Sequence, residues 1–396
     1  MRIAQVAPLA ESVPPQLYGG TERVVSWLTE ELVALGHRVT LFASGESITN
    51  AILEECSPKA LRLDPAHRDP MLAYGCMLAR IAAAASQFDV VHCHIDWVHI
   101  PLLQQLGVPF VTTLHGRLDL PELENCFEHC FAEAPFISIS DAQRTPLPYA
   151  NWVGTAHHGI PEALLRPNLR PAGYLAFLGR ISPEKGPETA IRIARAAGMP
   201  LKIAAKVDKA DQNYFERKVR PLLGGTDVEF LGEIDEGQKA EFLGNAAALL
   251  FPIRWPEPFG LVMIEAMACG TPVIAFRSGS VPEIIEDGVT GFIVRDETEA
   301  ADAVRRIDTL DRARIRREFE RRFTARRMAE RYLELYRRLG ERAEASRPAR
   351  AARLPGGRAV EELDVQRLLT CDDVVDPAPI ERLRAREGEG KLSVRQ

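Results

Sequence analysis

The sequence predicts an α/β protein made of two doubly wound parallel-sheet units in series. Three observations carry that expectation. Residues 3–43 read as strand, Gly-ended loop, helix, strand, and a βαβ unit implies a parallel sheet. The same alternation starts afresh at GYLAFLGR (173–180), after a Pro-rich break without periodicity. A chain of 396 residues is long for one core and ample for two.

In the first unit, Ile3 to Ala7 is a short apolar strand, and the loop over 8–20 ends in Tyr18-Gly19-Gly20. Thr21 reads as the N-cap of a helix with apolar residues at helical spacing, which stops at Gly36 before the strand RVTLFA. Gly19-Gly20 at a helix start lets backbone approach a ligand closely, although glycine pairs are also common in turns. The chain has no G-x-G-x-x-G, which argues against a dinucleotide oxidoreductase. Residues 70–88 read as a helix, and FDVVHCHIDW as a strand ending near His94. Residues 101–116 read as helix, turn and strand, with His115 at the carboxyl end of that strand, where open α/β sheets bind ligands. A lone His in such a place is more often structural. Strand alternation puts His92 and His94 on one face, near Asp96 and His99, but the spacing matches no zinc pattern, so no metal is expected. Cys126, His129 and Cys130 lie on an expected helix, where packing or simple surface is the favoured reading. FISIS (136–140) and the segment from Trp152 to Ile160 complete the unit, and PEALLRPNLRPAG (161–173) reads as a linker.

The second unit opens with a strand ending at Gly179-Arg180, a loop Ser182–Gly186 and the helix PETAIRIARAAG. Arg180 and Lys185 emerge just after the strand, where a planar fork and a mobile point charge can grip a diphosphate. The plain alternative is a solvated loop. LKIAAKV, a helix near 211–222, VEFLGEI, a helix near 236–245 and AALLFPI continue the alternation, and a strand near GFIV (291–294) ends it. Residues 297–340 read as helical, with Arg and Glu interleaved. That face suits ion pairing with itself better than a lipid surface, so at most a weak peripheral membrane contact is expected.

The most informative stretch is 257–284. Glu257 precedes a proline, which biases it toward an extended shape. Phe259-Gly260-Leu261 then opens a helix LVMIEAMA, with Glu265 about one turn inside, and Gly270 and Pro272 stop it. Free N–H groups at a helix start attract phosphate. A carboxylate on the preceding loop can bind sugar hydroxyls, and one deeper in the helix can hold ribose. The stretch reads as a cradle for a sugar nucleotide. Two solvated surface acids are the rival reading, but unpaired charge in so apolar a setting is costly.

Composition is that of an ordinary soluble globular chain, 46% hydrophobic and 26% charged. A formal net charge of −6 argues against a nucleic-acid partner. No apolar run approaches the roughly 20 residues of a transmembrane span, and the N-terminus reads as strand and loop rather than a signal peptide. Seven scattered cysteines suit reduced thiols. The expected location is cytoplasmic.

The stretch at 257–284 also resembles the signature of the retaining glycosyltransferases of family four. Glu257 and Glu265 stand at that family's spacing, within PFG, EAMACGTPVIA and GSVPEII, and GGTERV (19–24), LHG (114–116) and GRISPEKG (179–186) are similar too. The similarity runs from residue 1 to about 340. It implies the GT-B fold: two Rossmann-like doubly wound domains facing across a cleft. An acceptor-side domain would span 1–165 and a nucleotide-sugar domain 172–322. A last helix at 323–340 would pack back on the first domain, and an Arg/Ala/Pro-rich tail at 341–396 would be largely disordered.

The implied activity is transfer of a hexosyl group from a nucleoside diphosphate sugar, UDP- or GDP-linked, to an acceptor hydroxyl, with retention of configuration and without metal or cofactor. Sugar, lipid and small-molecule acceptors all stay open. Arg180, Lys185 and the N–H groups near Gly260 and Leu261 would stabilise the leaving diphosphate. Glu257 would orient the donor sugar, Glu265 would hold ribose, Gly19-Gly20 would close over the phosphates, and His115 would contact the donor sugar. A sugar-nucleotide epimerase on the same fold and a non-catalytic nucleotide-sugar binder are the alternatives.

Overall fold

The computed structural model describes residues 1–16, 19–65 and 68–351, with side chains as far as residue 341. Two parallel sheets organise the chain. The first has seven strands: β1 (Arg2–Val6), β2 (Arg38–Ser44), β3 (Ile52–Ser57), β4 (Val90–Cys93), β5 (Phe110–Thr113), β6 (Phe136–Ser138) and β7 (Trp152–Thr155), in the order β3-β2-β1-β4-β5-β6-β7. The second has six: β8 (Tyr174–Arg180), β9 (Leu201–Lys206), β10 (Val228–Gly232), β11 (Ala246–Phe251), β12 (Val273–Phe276) and β13 (Gly291–Val294), in the order β10-β9-β8-β11-β12-β13. The α/β class with two doubly wound sheets is therefore as the sequence predicts.

The central strands are largely buried because helices cover both faces. All six residues of β11 and all four of β4 are buried. Strand order reverses between β1 and β4 in one sheet and between β8 and β11 in the other. At such switch points the loops leaving the carboxyl ends part and open a crevice. Those loops carry Gly19-Gly20 after β1, Lys185 after β8 and Glu257 after β11, and they bound the candidate site.

Several local expectations need correction. The first helix is Gly20–Ala34, capped by Gly19 rather than Thr21, because Arg23 N–H already donates to the Gly19 carbonyl. Gly19 offers no side-chain cap, and in the first turn the Glu22 carboxylate accepts from its own N–H. β3 was not anticipated. It is an edge strand, ILEECS, whose two glutamates break apolar alternation. The helix near 211–222 is three short pieces, Gln212–Tyr214, Phe215–Val219 and Arg220–Leu222, the last holding Pro221, which has no N–H to continue a helix. Residues 297–340 are also interrupted, as Glu297–Val304, Arg312–Arg322 and Ala325–Ala351. The last helix runs beyond 340, and the rest of the tail expectation lies outside the described residues.

The break before Ala325 has a cause. Ile160 N–H donates to Phe323 O, and Ala325 N–H donates back to Ile160 O, a β-bridge that holds Thr324 out of helix. Gly159 permits it, since a Cβ there would meet Thr324 O at 2.2 Å. The outgoing crossing from the first sheet and the returning one thus lie side by side. Arg316 ties them further, donating to the carbonyls of Glu162 and Leu165 on one side and Ala268 on the other. The Ala325–Ala351 helix then buries Tyr332 and Tyr336 against the first sheet. Residues Met1–Ala345 form one unit. No helix among the described residues is long and apolar enough to cross a membrane.

Candidate functional site

Two adjoining cavities, of about 420 and 380 Å³, occupy the cleft between the carboxyl ends of the sheets. All ten residues singled out from sequence line them. His115 and Phe259 line the first, Arg180, Lys185 and Glu265 the second, and Gly19, Gly20, Glu257, Gly260 and Leu261 form the waist shared by both. A Cβ on Gly20 would lie 3.9 Å from Leu261 Cδ1, so the lobes nearly touch at this waist.

The waist is built by unusual backbone. Gly260 has φ 79°, which lets the chain turn from the Glu257 loop into the helix Leu261–Ala268 without a side-chain cap. The N–H groups opening this helix are left for a ligand. Glu257 is pinned through its own backbone: its carbonyl accepts from Ser280 N–H at 3.0 Å, and its N–H donates to Trp255 O at 2.8 Å. Gly279, at φ 50°, packs so tightly on it that a Cβ would fall 2.4 Å from both Glu257 N and O. The carboxylate accepts from Trp255 Nε1–H at 2.9 Å and from Lys185 Nζ.

Both phosphate-gripping candidates are therefore partnered. Lys185 holds Glu257. Arg180, the last residue of β8, lies 2.7 Å from Glu184 and 3.7 Å from Asp208. Glu265 is buried and takes a 2.8 Å ion pair from Lys239, which is also 3.5 Å from Glu236. Burial works against the Lys239 charge, yet Glu265 and Glu236 outweigh it and hold its pKa above the usual lysine value. Glu236 in turn pairs with Arg23 of the Gly20–Ala34 helix, across the cleft. Sequence reasoning missed this Arg23–Glu236–Lys239 set, because Arg, Glu and Lys on helices read as solvated surface.

Behind His115 runs a buried polar chain. His115 Nε2 is 2.8 Å from His94 Nδ1, and His94 Nε2 is 2.9 Å from Gln5 Oε1. Tyr336 OH is 2.6 Å from His92 Nδ1 and 3.2 Å from Gln5 Nε2, while His92 Nε2 is 2.7 Å from Thr113 Oγ1. If Gln5 Oε1 accepts, His94 carries its proton on Nε2, and His115 Nε2 must be the donor to His94 Nδ1. Burial holds all these imidazoles neutral: it pushes His92, His94 and His158 well below the usual histidine value and His115 to about 3. His158 stacks on His115 at 5.2 Å. The His92/His94/His99/Asp96 set does not converge: His99 bonds Thr112 at 2.7 Å, elsewhere in the sheet.

The first cavity also holds Glu11, Glu22 and Arg62, none foreseen. Glu22 follows Gly19-Gly20 by two residues, a signal that was available. Glu11 and Arg62 lie 51 positions apart, and only the fold joins them in an ion pair.

Two family models match the chain. "Glycosyltransferase Family 4" covers residues 18–152 and "Glycosyl transferases group 1" covers 169–326, one per sheet. The chain is similar to glycogen synthase of Mycobacterium tuberculosis, 28% identical over 358 residues, covering 74% of this chain and 83% of that protein. It is similar to D-inositol 3-phosphate glycosyltransferase of Saccharomonospora viridis, 27% identical over 386 residues, covering 81% and 89%. Among solved structures, AviGT4, a glycosyltransferase involved in avilamycin A biosynthesis, aligns with a TM-score of 0.64 at 27% identity, covering 86% and 98%.

Proposed function

The chain belongs to glycosyltransferase family four and has the GT-B fold, and on that premise we propose that it moves a hexosyl group from a UDP- or GDP-linked sugar to an acceptor hydroxyl with retention of anomeric configuration. One observation supports this reading most: two cations and an uncapped helix start meet at the cavity that adjoins, through a narrow waist, the one holding His115. The 172–322 side takes the nucleotide and the 1–165 side the acceptor.

The hard part of the reaction is charge. As the glycosidic bond breaks, the ring becomes cation-like and the diphosphate more anionic. Lys185 turns from Glu257 to the diphosphate, Arg180 adds its fork, and the N–H groups at Leu261 and Val262 add a helix dipole. These groups stand in for a divalent cation, so the proposal is metal-independent. Glu257, freed from Lys185, takes the donor hydroxyls. Glu265 holds ribose, with Lys239 fixing its carboxylate in place. Gly19 and Gly20 cover the phosphates, and His115 borders the sugar.

Retention by double displacement needs a carboxylate against the anomeric carbon. In this proposal Glu257 binds hydroxyls instead, and the leaving phosphate takes the acceptor proton on the face from which it departs. Closure of the cleft keeps water out, which limits hydrolysis. The test is transfer and donor hydrolysis by Lys185→Ala and Glu257→Ala. Each variant should lose transfer by about 10²–10³-fold, the worth of one charge-assisted contact plus a neighbour left unpaired. Full transfer in both variants, or epimerisation of the donor sugar without acceptor, refutes the proposal.

A further inference from the structure

The cavity on the acceptor side has a charge balance that bears on what enters it. Glu11 is 4% exposed and Glu22 6% exposed, and both line it. Arg62 lines it too and is committed to Glu11. Burial raises the pKa of Glu11, Arg62 and Lys206 favour its ionisation, and Glu46 opposes it. Lys206 is itself 3.0 Å from Asp208. At the waist, Lys185 pairs with Glu257 until the donor diphosphate takes it, so it offers no spare charge to the acceptor in either state. The remaining basic side chains lining the cavity are His115 and His158, and burial keeps both imidazoles neutral. Among the described residues, then, carboxylates outnumber the cations that face them, and each cation already has a carboxylate.

A phosphate or carboxylate entering here would break the Arg62–Glu11 pair and leave Glu11 buried and unpaired, beside Glu22. A hydroxyl meets no such cost. Carboxylates accept from hydroxyls through several lone pairs, and a neutral imidazole can donate or accept one hydrogen bond.

We infer that the acceptor is an uncharged, hydroxyl-rich molecule, a sugar, a polyol or the end of an oligosaccharide, and not its phosphorylated counterpart. The inference rests on the glycosyl-transfer reading of the same site. It also separates this chain from the relative whose name specifies an inositol phosphate.

The experiment offers the full chain a panel of nucleotide sugars with matched acceptor pairs, each a neutral sugar or polyol and its monophosphate ester. Nucleoside diphosphate release and glycosylated product are both measured. The neutral member should be used with kcat/KM at least about 30-fold above its ester, the scale of a like-charge clash at a closed interface. Glu11→Gln, which removes the carboxylate paired with Arg62 and one negative charge from the cavity, should narrow that ratio by about tenfold or more. Donor turnover with the ester preferred, or with both members used equally, overturns the inference and leaves glycosyl transfer standing. Failure to bind or turn over any nucleotide sugar overturns the transfer reading, and this inference falls with it.

Discussion

Acid should unfold this protein unusually early, through its buried histidines. His92, His94, His99 and His158 are each 4% exposed or less. Burial lowers the pKa of each, to about 3 for His99. An unfolded histidine titrates near 6.5. Because the folded pKa is depressed, the unfolded chain takes up the protons first. Stability is intact above about pH 6.5 and is lost as pH falls from there toward the folded values. Between pH 7.0 and 5.5 each neutral histidine costs about 1.2 kcal/mol, so these four cost about 5 kcal/mol and His115, lowered to about 3, adds a further share. That approaches the whole stability of a typical domain.

Buried Glu11 and Glu22 work in the opposite sense, since burial raises their pKa and the folded state takes their protons first. The comparison with His99→Gln therefore isolates one imidazole. His99 bonds Thr112 away from the two cavities, and glutamine can keep that contact. Urea unfolding followed by circular dichroism at pH 7.0 and 5.5 is the assay. The parent should lose several kcal/mol over this interval, and the variant about 1 kcal/mol less. Equal losses in parent and variant, or no loss at all, would refute the argument.

Three other perturbations follow from single contacts. Glu265→Gln leaves Lys239 buried without its nearest carboxylate and should cost about 3 kcal/mol by urea unfolding, with weaker binding of a nucleoside diphosphate by calorimetry. Tyr336→Phe removes the hydroxyl beside His92 Nδ1 and should cost about 1–3 kcal/mol, although it lies outside both cavities. An unchanged urea midpoint would mean that the polar chain contributes nothing. Gly279→Ala drives a methyl against the Glu257 backbone and should lower transfer about tenfold or more, with nucleotide binding much less affected. Parent-level kcat in that variant would show that the position of Glu257 is not critical.

Much of this was legible in the sequence for a definite reason. Parallel strands are buried on both faces, so AAALLF announces itself as an apolar run, and Gly and Pro mark where such runs stop. The helix Leu261–Ala268 fell where LVMIEAMA and its Gly260 and Gly270 flanks put it. β3 escaped because an edge strand needs only half an apolar pattern, and its glutamates hid that half. The Gly19 cap escaped because a glycine caps through its carbonyl alone, and Thr21 looked better by side chain. The partners of the key acids were harder still. Lys185 with Glu257, Lys239 with Glu265 and Arg62 with Glu11 are joined by the fold over 72, 26 and 51 positions. Residue type alone says nothing of such pairings.

The paired crossings at Gly159–Ile160 and Phe323–Ala325 bear on how the cleft moves. A single tether would leave each half free to swivel. Two strips of backbone stitched edge to edge bend like a door on its pin and resist wringing. The closure proposed above would then bring Gly20 back to the same spot over Leu261, without a search for alignment in the plane of the opening.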